Sequence, residues 1–284
     1  MRPDLLQGTA AEEATQDAAA LWGLPDFVFH AQVLSGTQAS REIGDRLVII
    51  GDLGLVVQVK SRSQLTNDST KEQRWIEKYS AKALRQASGT IRRLRSGPLQ
   101  LTNVRERSIT VDGKDLRWIS VVVVDHPNVP SGTLPTLVEA KGPAVILLRR
   151  DWEFLFEHLK STYAVARYLE RIAGEVIELG HEPVRYFQLA TADQHADPEP
   201  LHPVLRALGG RHVSAPLLPM SPTAADRPVE HLLVRSIFED IAISSLVDRP
   251  EEDRLAILAE LDRLPVADRA DIGRFLLDGL AEVA

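Results

Sequence analysis

The chain of 284 residues contains no cysteine. That absence excludes disulfide staples, thiolate metal sites and cysteine nucleophiles, and it agrees with a reducing cytoplasm. The N-terminal residues MRPDLLQGTAAEEATQD hold no apolar h-region, and no run approaches the roughly 20 apolar residues that cross a bilayer. The expectation is a soluble cytoplasmic protein that does not engage a membrane. Internal repeats and low-complexity tracts are also missing. The eight histidines show neither an HExxH pattern nor a paired spacing suited to zinc, and His195 and His202 fall in a polar stretch where solvation is the expected role. There is no GxSxG elbow, no GxxxxGK[ST] phosphate loop and no GxGxxG after a strand. Hydrolase triads, nucleotide-driven motors and dinucleotide enzymes are thereby set aside.

Positive charge is scarce overall, with a formal net charge of −7. Its distribution matters more than its sum. From Gln58 to Arg95 there are ten Lys or Arg against three Asp or Glu, a local balance of +7 that leaves −14 for the remainder. Phosphate binding draws on Lys and Arg, so this segment is where a nucleic acid would be met.

The segment begins in the stretch REIGDRLVIIGDLGLVVQVKSR from Arg41 to Arg62, where two apolar runs flank a Gly-Asp-Leu-Gly turn. A turn centred between Asp52 and Leu53 predicts an antiparallel hairpin with paired positions summing to 105, which sets Asp45 opposite Lys60. Strand alternation puts Gln58 on the same face as Lys60. A carboxylate, an amide oxygen and an ammonium then converge on one patch of sheet. The structural alternative is a cross-strand ion pair inside a core of Leu47, Val48, Ile49, Ile50, Leu55, Val56 and Val57. Charges are costly to bury in such doubly apolar strands, which favours a functional role.

Asp45, twelve intervening residues and then Gln58-Val59-Lys60 resemble the signature of the PD-(D/E)XK nucleases of the restriction-endonuclease-like fold, in the Mrr-like variant with a Q-x-K triplet. The order of expected elements is similar too: a helix from Thr9 to Trp22, a strand over Asp26 to Ser35, the hairpin, a long helix from Ser69 and an apolar strand over Trp118 to Val124. The resemblance covers residues 8 to 125. It implies an α/β fold with a mixed sheet flanked by helices, and a metal-dependent nuclease acting on DNA in restriction, defence or repair. It also implies Mg2+ or Mn2+ on Asp45, the Gln58 amide oxygen and the Val59 backbone carbonyl, with Glu12 or Glu13 of the first helix in support and Lys60 beside the attacking water. Gln58 stands where the family usually has an acid. The second reading is therefore a catalytically weakened member that binds nucleic acid or a protein partner as a scaffold.

Ser69-Thr70-Lys71-Glu72 fits a capping box, so the long helix is expected to start at Ser69. Ile76, Tyr79, Ala83, Ala87, Ile91 and Leu94 form its apolar stripe at 100° per residue. Lys71, Arg74, Lys78, Lys82, Arg85 and Arg92 gather on the opposite side. This one-signed ridge, with Arg62 before it and Trp75 at its edge, is either a track for a nucleic-acid backbone or a solvated face.

Downstream, Ser108 to Val124 reads as a hairpin around Asp112-Gly113, followed by a Pro/Gly-containing connection and a strand over Ala144 to Leu148. Asp151 and Ser161 are expected N-caps of helices reaching Lys160 and Glu178, with Gly180 as a stop. Their aromatics, Trp152, Phe154, Phe156, Tyr163 and Tyr168, read as packing rather than as a base-stacking platform. The expected organisation is a core over residues 1–192, a Pro-rich loop or linker over 193–228 and helices over 229–284. From Ala225 onward there are seven Arg, fourteen Asp or Glu and no Lys. That acidic segment reads either as a self-association or protein-partner module or as a cap completing the same core.

Overall fold

A computed structural model describes residues 3–30, 46–195 and 228–283. The architecture is α/β, a seven-stranded mixed sheet flanked by helices and followed by C-terminal helices. The chain opens with α1 (Pro3–Trp22), which starts ahead of the expected Thr9, with Pro3 in the first helical position that suits its missing N–H. A 3-10 turn (Pro25–Phe27) leads into the short β1 (Val28–His30). Residues 31–35 of the expected strand lie outside the described residues.

The hairpin β2 (Arg46–Ile50) and β3 (Leu53–Ser61) forms as expected, but in a different register. Its ladder runs from Arg46↔Val57 to Ile50↔Leu53, so paired positions sum to 103 and the turn centres between Gly51 and Asp52. The reason is local: Gly51 takes φ +56° at the first central position of a two-residue turn, the conformation that glycine adopts without strain.

Next comes α2 (Ser69–Leu94), then β4 (Leu99–Asn103), β5 (Ser108–Val111), β6 (Arg117–Asp125) and β7 (Ala144–Leu148). The sheet order is β5-β4-β1-β2-β3-β6-β7. The expected hairpin over Ser108 to Val124 is absent: β5 pairs with β4 at one edge, while β6 inserts parallel between β3 and β7. Burial decides this. β6 is apolar on both faces over Trp118 to Val124 and needs cover on both sides, whereas β5 alternates and tolerates an edge. The β7 edge is closed in part by Gly174, whose amide donates to the Ala144 carbonyl at 2.9 Å.

Alternation along the strands sorts the two faces. Leu55, Val57 and Val59 join Val121, Val123, Val145 and Leu147 under α1, α3 (Arg149–Leu159) and α4 (Thr162–Ile172). Val122, Val124, Ile146 and Leu148 meet Ile76, Ala83 and Leu84 of α2 on the other face. Each fully buried aliphatic side chain of this kind contributes roughly 1.5–3 kcal/mol. Trp152, Phe156 and Tyr168 are fully buried in the first cluster, as packing residues.

Ser161 caps α4, its hydroxyl accepting from the Ala164 amide at 3.0 Å, but α4 ends at Ile172 rather than at Glu178. Asp151 is the third residue of α3, not its cap, and its carboxylate accepts from the Leu148 amide at 3.3 Å. A further helix, α5 (Glu182–His195), occupies the start of the stretch expected to be loop, and residues 196–227 lie outside the described ones.

The C-terminal helices α6 (Pro228–Ile243), α7 (Glu251–Asp262) and α8 (Val266–Val283) match the expected segments closely. Val234, Phe238, Ala242 and Leu258 belong to the main core cluster. Asp262 and Arg269, both fully buried, pair at 2.9 Å, and Asp262 also accepts from the Ser161 hydroxyl and the Tyr163 amide. The segment therefore completes the core.

Candidate functional site

Strands β3, β6 and β7 run parallel, and their C-terminal ends open at one edge of the sheet. Open α/β sheets place ligands outside such strand ends. Gln58, Val59 and Lys60 stand at this end of β3, level with Val122, Val123 and Val124. Asp45 lies outside the described residues, and the observed pairing stops at Arg46↔Val57.

Gln58 and Lys60 share the face that packs under α2, since Val56, Val122 and Val124 all join α2 clusters. Gln58 is only 1% exposed and its Nε2 has no hydrogen-bond partner. Lys60 is half-buried. Val59 points to the other face, among the residues under α1. Glu12, half-buried, and Glu13, exposed, belong to α1 and so sit on the opposite face of the sheet from Gln58 and Lys60.

Beside the triplet lies a charge network that the sequence reading did not anticipate. Asp68 is the N-cap of α2, its carboxylate accepting from the Thr70 and Lys71 amides at 3.1 and 3.2 Å. Glu72 is thereby released from the expected capping box. It turns inward, 3% exposed, and accepts from Arg62 Nε at 3.0 Å and Nη2 at 2.9 Å, and from the Thr66 amide and hydroxyl at 2.9 and 2.8 Å. His126 Nε2 meets Oε2, the oxygen that also takes Arg62 Nε, at 2.9 Å, while the Asn128 amide donates to His126 Nδ1 at 3.2 Å, which leaves Nε2 as the ring nitrogen that donates to Glu72. The Arg62 guanidinium, helped by the Thr66 and His126 donors, holds the Glu72 carboxyl well below the usual carboxylate range, although burial opposes it.

Arg62 also lies over the Trp75 ring at 5.3 Å, and Trp75 stacks toward Tyr79 at 4.8 Å. Arg62, expected among the phosphate contacts, pairs with Glu72 and lies over Trp75. A second chain of charges closes the strand ends: the Ser61 hydroxyl donates to Asp125 at 3.0 Å, Arg149 Nε donates to Asp125 at 2.8 Å, and Arg149 also pairs with Glu153. The signal for both networks was in the sequence. Asp125-His126 directly follows a doubly apolar strand, and Arg149 follows another, which is where polar groups of a parallel sheet come together. Close by, burial pushes the Asp151 carboxyl up to about 6 despite donors from the Leu148 and Gly180 amides.

The expected cationic ridge is present as geometry. Lys71, Arg74, Lys78, Lys82, Arg85 and Arg92 are all exposed on α2, opposite its buried stripe of Ile76, Ser80, Ala83, Leu84, Ala87, Thr90 and Leu94. Lys71 pairs with Asp68 at 3.5 Å and Arg85 with Glu139 at 3.2 Å. Trp75 is half-buried at the edge of this ridge.

Among the described residues no group of three or more His, Asp or Glu is arranged to hold a metal ion, and no helix is long and apolar enough to cross a membrane. Comparison with family models, curated proteins and solved structures gives no match to the chain.

Proposed function

We propose that the chain is a metal-dependent nuclease acting on DNA, in a restriction, defence or repair role, built on a restriction-endonuclease-like core. The observation that carries this reading is the placement of Lys60 at the C-terminal end of β3, on the chain that leads into the cationic ridge of α2. The order α1, β1, β2, β3, α2 and then, after the added β4 and β5, β6 supports it, since it contains the elements that the resemblance implies in their order. A duplex backbone lying along α2 would present a phosphate to that strand end.

In this reading Mg2+ or Mn2+ would be held by the Asp45 carboxylate, the Gln58 amide oxygen and the Val59 carbonyl, a hard-oxygen set of low charge of the kind these ions take. When bound, the ion neutralises charge on the phosphate and lowers the pKa of the attacking water. Lys60 orients that water and offsets the negative charge that builds on the phosphate. The Arg62–Glu72–His126 network keeps the chain rigid where β3 passes into α2, so Lys60 is presented from a fixed backbone.

The burial of Gln58 under α2 with an unsatisfied amide nitrogen favours a second reading, a weakened member of the same fold that binds nucleic acid or a protein partner without cutting. Purified protein incubated with Mg2+ or Mn2+ and plasmid, single-stranded DNA or RNA separates the two. We expect nicking or cutting of DNA that falls at least 100-fold in Lys60→Ala and in Asp45→Ala, a loss of about 3 kcal/mol of transition-state stabilisation. Cleavage that survives both substitutions removes this site. DNA binding without cleavage establishes the second reading.

A further inference from the structure

At the far end of α2 lies a cleft of about 510 Å³, between the last three turns of the helix, the start of β6 and the loop before β7. Pockets for small ligands typically span roughly 300–1,000 Å³. Its cations outnumber its carboxylates by four to one. Arg85, Arg92, Arg95 and Lys141 line it with a single carboxylate, Glu139, which is already paired with Arg85 at 3.2 Å. Among the described residues no carboxylate pairs with Arg92, Arg95 or Lys141.

Arginines near a helix C-terminus offset the macrodipole, which would explain Arg92 and Arg95 as surface residues. Two observations go beyond that. Lys141 comes from a different element, the loop before β7, and faces the same space. Gly89 sits in the interior of a 26-residue helix, where glycine costs roughly 1 kcal/mol relative to alanine. A Cβ placed on it would meet no atom within 4 Å, and the same holds for Gly142 across the cleft. Neither glycine is imposed by crowding, and both leave room in the cleft.

The remaining wall is mixed: Ser88 and Ser120 are polar, Ile91 and Pro143 apolar, and Trp118, only 2% exposed, backs the cleft with its ring pressed so closely on Gly54 that a Cβ there would come within 2.5 Å. We propose that this cleft binds a nucleoside phosphate, its phosphate on Arg92, Arg95 and Lys141 and its base against Ile91 and Pro143, with Ser88 and Ser120 beside it. The guanidinium fork matches phosphate oxygens in pairs, and the apolar side chains of Ile91 and Pro143 give a ring something to pack on. The ligand is either a free nucleotide or the 5′-phosphorylated end of a nucleic-acid strand, which share this chemistry. The cleft is separate from the triplet site: Trp118 is level with Gly54, and the six residues from Gly54 to Lys60 span about 20 Å at ~3.3 Å per residue. The inference therefore does not depend on cleavage at Lys60.

The test is calorimetric titration of the full chain without divalent ions, so that cleavage plays no part. The probes are ATP, inorganic phosphate, and a short single-stranded oligonucleotide with a 5′-phosphate or a 5′-hydroxyl. We expect ATP or the phosphorylated oligonucleotide to bind at least tenfold more tightly than inorganic phosphate. Gly89→Gln, which fills the cleft while improving helix propensity, and Lys141→Glu, which reverses a charge off the α2 ridge, should each weaken that binding at least tenfold, with Lys141→Arg retaining it. Preference for ATP assigns a free nucleotide, and preference for the phosphorylated over the hydroxyl strand assigns a strand end. Absence of binding, affinities unchanged in both Gly89→Gln and Lys141→Glu, inorganic phosphate binding as tightly as ATP, or equal binding of the two oligonucleotides without ATP would each overturn the proposal. A melt of each variant confirms folding, and Lys141→Glu, in an exposed loop, decides the matter if Gly89→Gln does not fold.

Discussion

The two ends of α2 treat their charges in opposite ways. Near Ser69, Glu72 is buried and every donor around it is committed: Arg62, Thr66 and His126 all point to one carboxylate. Near Leu94, Arg92 and Arg95 are exposed and, among the described residues, have no carboxylate to answer them. Removing a carboxylate from water costs several kcal/mol unless donors replace the lost hydration, so the first end has to be complete within the chain. The second end bears no such requirement, because its cations keep their water. Charge that is satisfied internally holds the backbone in place, and charge left in solvent is what an incoming anion can use.

The largest effect that tests this contrast is Glu72→Ala. It takes away the carboxylate that Arg62, Thr66 and His126 address, and removing one member of a buried ion pair costs about 3–5 kcal/mol. Denaturant unfolding should show that loss, whereas Arg92→Ala at the other end should cost under about 0.5 kcal/mol, as ordinary surface changes do. Similar costs at both ends would dissolve the contrast. Because the Glu72 carboxyl is held low, its contribution is complete above the usual carboxylate range and fades only as strong acid protonates it.

Asp151 gives the opposite sign and the next largest effect. Its carboxyl is raised to about 6 by burial, so between pH ~4 and ~6 the folded protein binds a proton that the unfolded chain has released. Stability linked to this group is fully present below pH ~4 and is lost as pH rises through about 6, by roughly 2–3 kcal/mol. Asp151→Asn keeps an oxygen for the Leu148 and Gly180 amides and cannot ionise. The variant should gain on the parent by that amount between pH 4 and pH 7 in urea titrations. Parallel profiles would mean that Asp151 is solvated when charged.

What the sequence revealed depended on how local each signal was. The doubly apolar runs of β3, β6 and β7 and the period of α2 carry their own burial requirement, so the elements were legible, although the buried stripe of α2 takes in Ser80, Leu84 and Thr90 and leaves Tyr79 and Ile91 half-buried. Strand partners were not. Asp112-Gly113 is a favourable turn, but whether β5 pairs with β6 depends on β4 competing for it, and β4 itself went unread because Leu99–Asn103 is only partly apolar. The hairpin register slipped by two because a Gly-Asp-Leu-Gly segment offers glycine to more than one turn, and the side chains kept their faces only because the slip was even. Asp68 and Ser69 are both competent caps, and Asp68 taking that role turned Glu72 from a helix-end residue into the centre of a network. At the candidate site, the placement of Gln58 and Lys60 on one face followed from alternation alone. The burial of Gln58 depended on where α2 crosses the sheet, which no local pattern encodes.

The smallest effect separates exposed from paired cations in the same assay. Lys78 and Lys82 are exposed on α2, Lys78 lying 5.6 Å from the Tyr79 ring centre, and neither is committed to a carboxylate among the described residues. If they contact DNA phosphates, each releases about one condensed counterion, so reversing both to Glu should weaken duplex binding and flatten the plot of log affinity against log salt by about two units of slope. Arg149 is the matched control: it belongs to the same protein surface but is held by Asp125 and Glu153, so Arg149→Ala should leave the slope unchanged. A slope that responds to Arg149 as strongly as to Lys78 and Lys82 would show that internal pairing does not withdraw a cation from phosphate. A slope indifferent to all three would make the exposed face of α2 mere solvent-facing surface, because attraction to a polyanion cannot operate without counterion release.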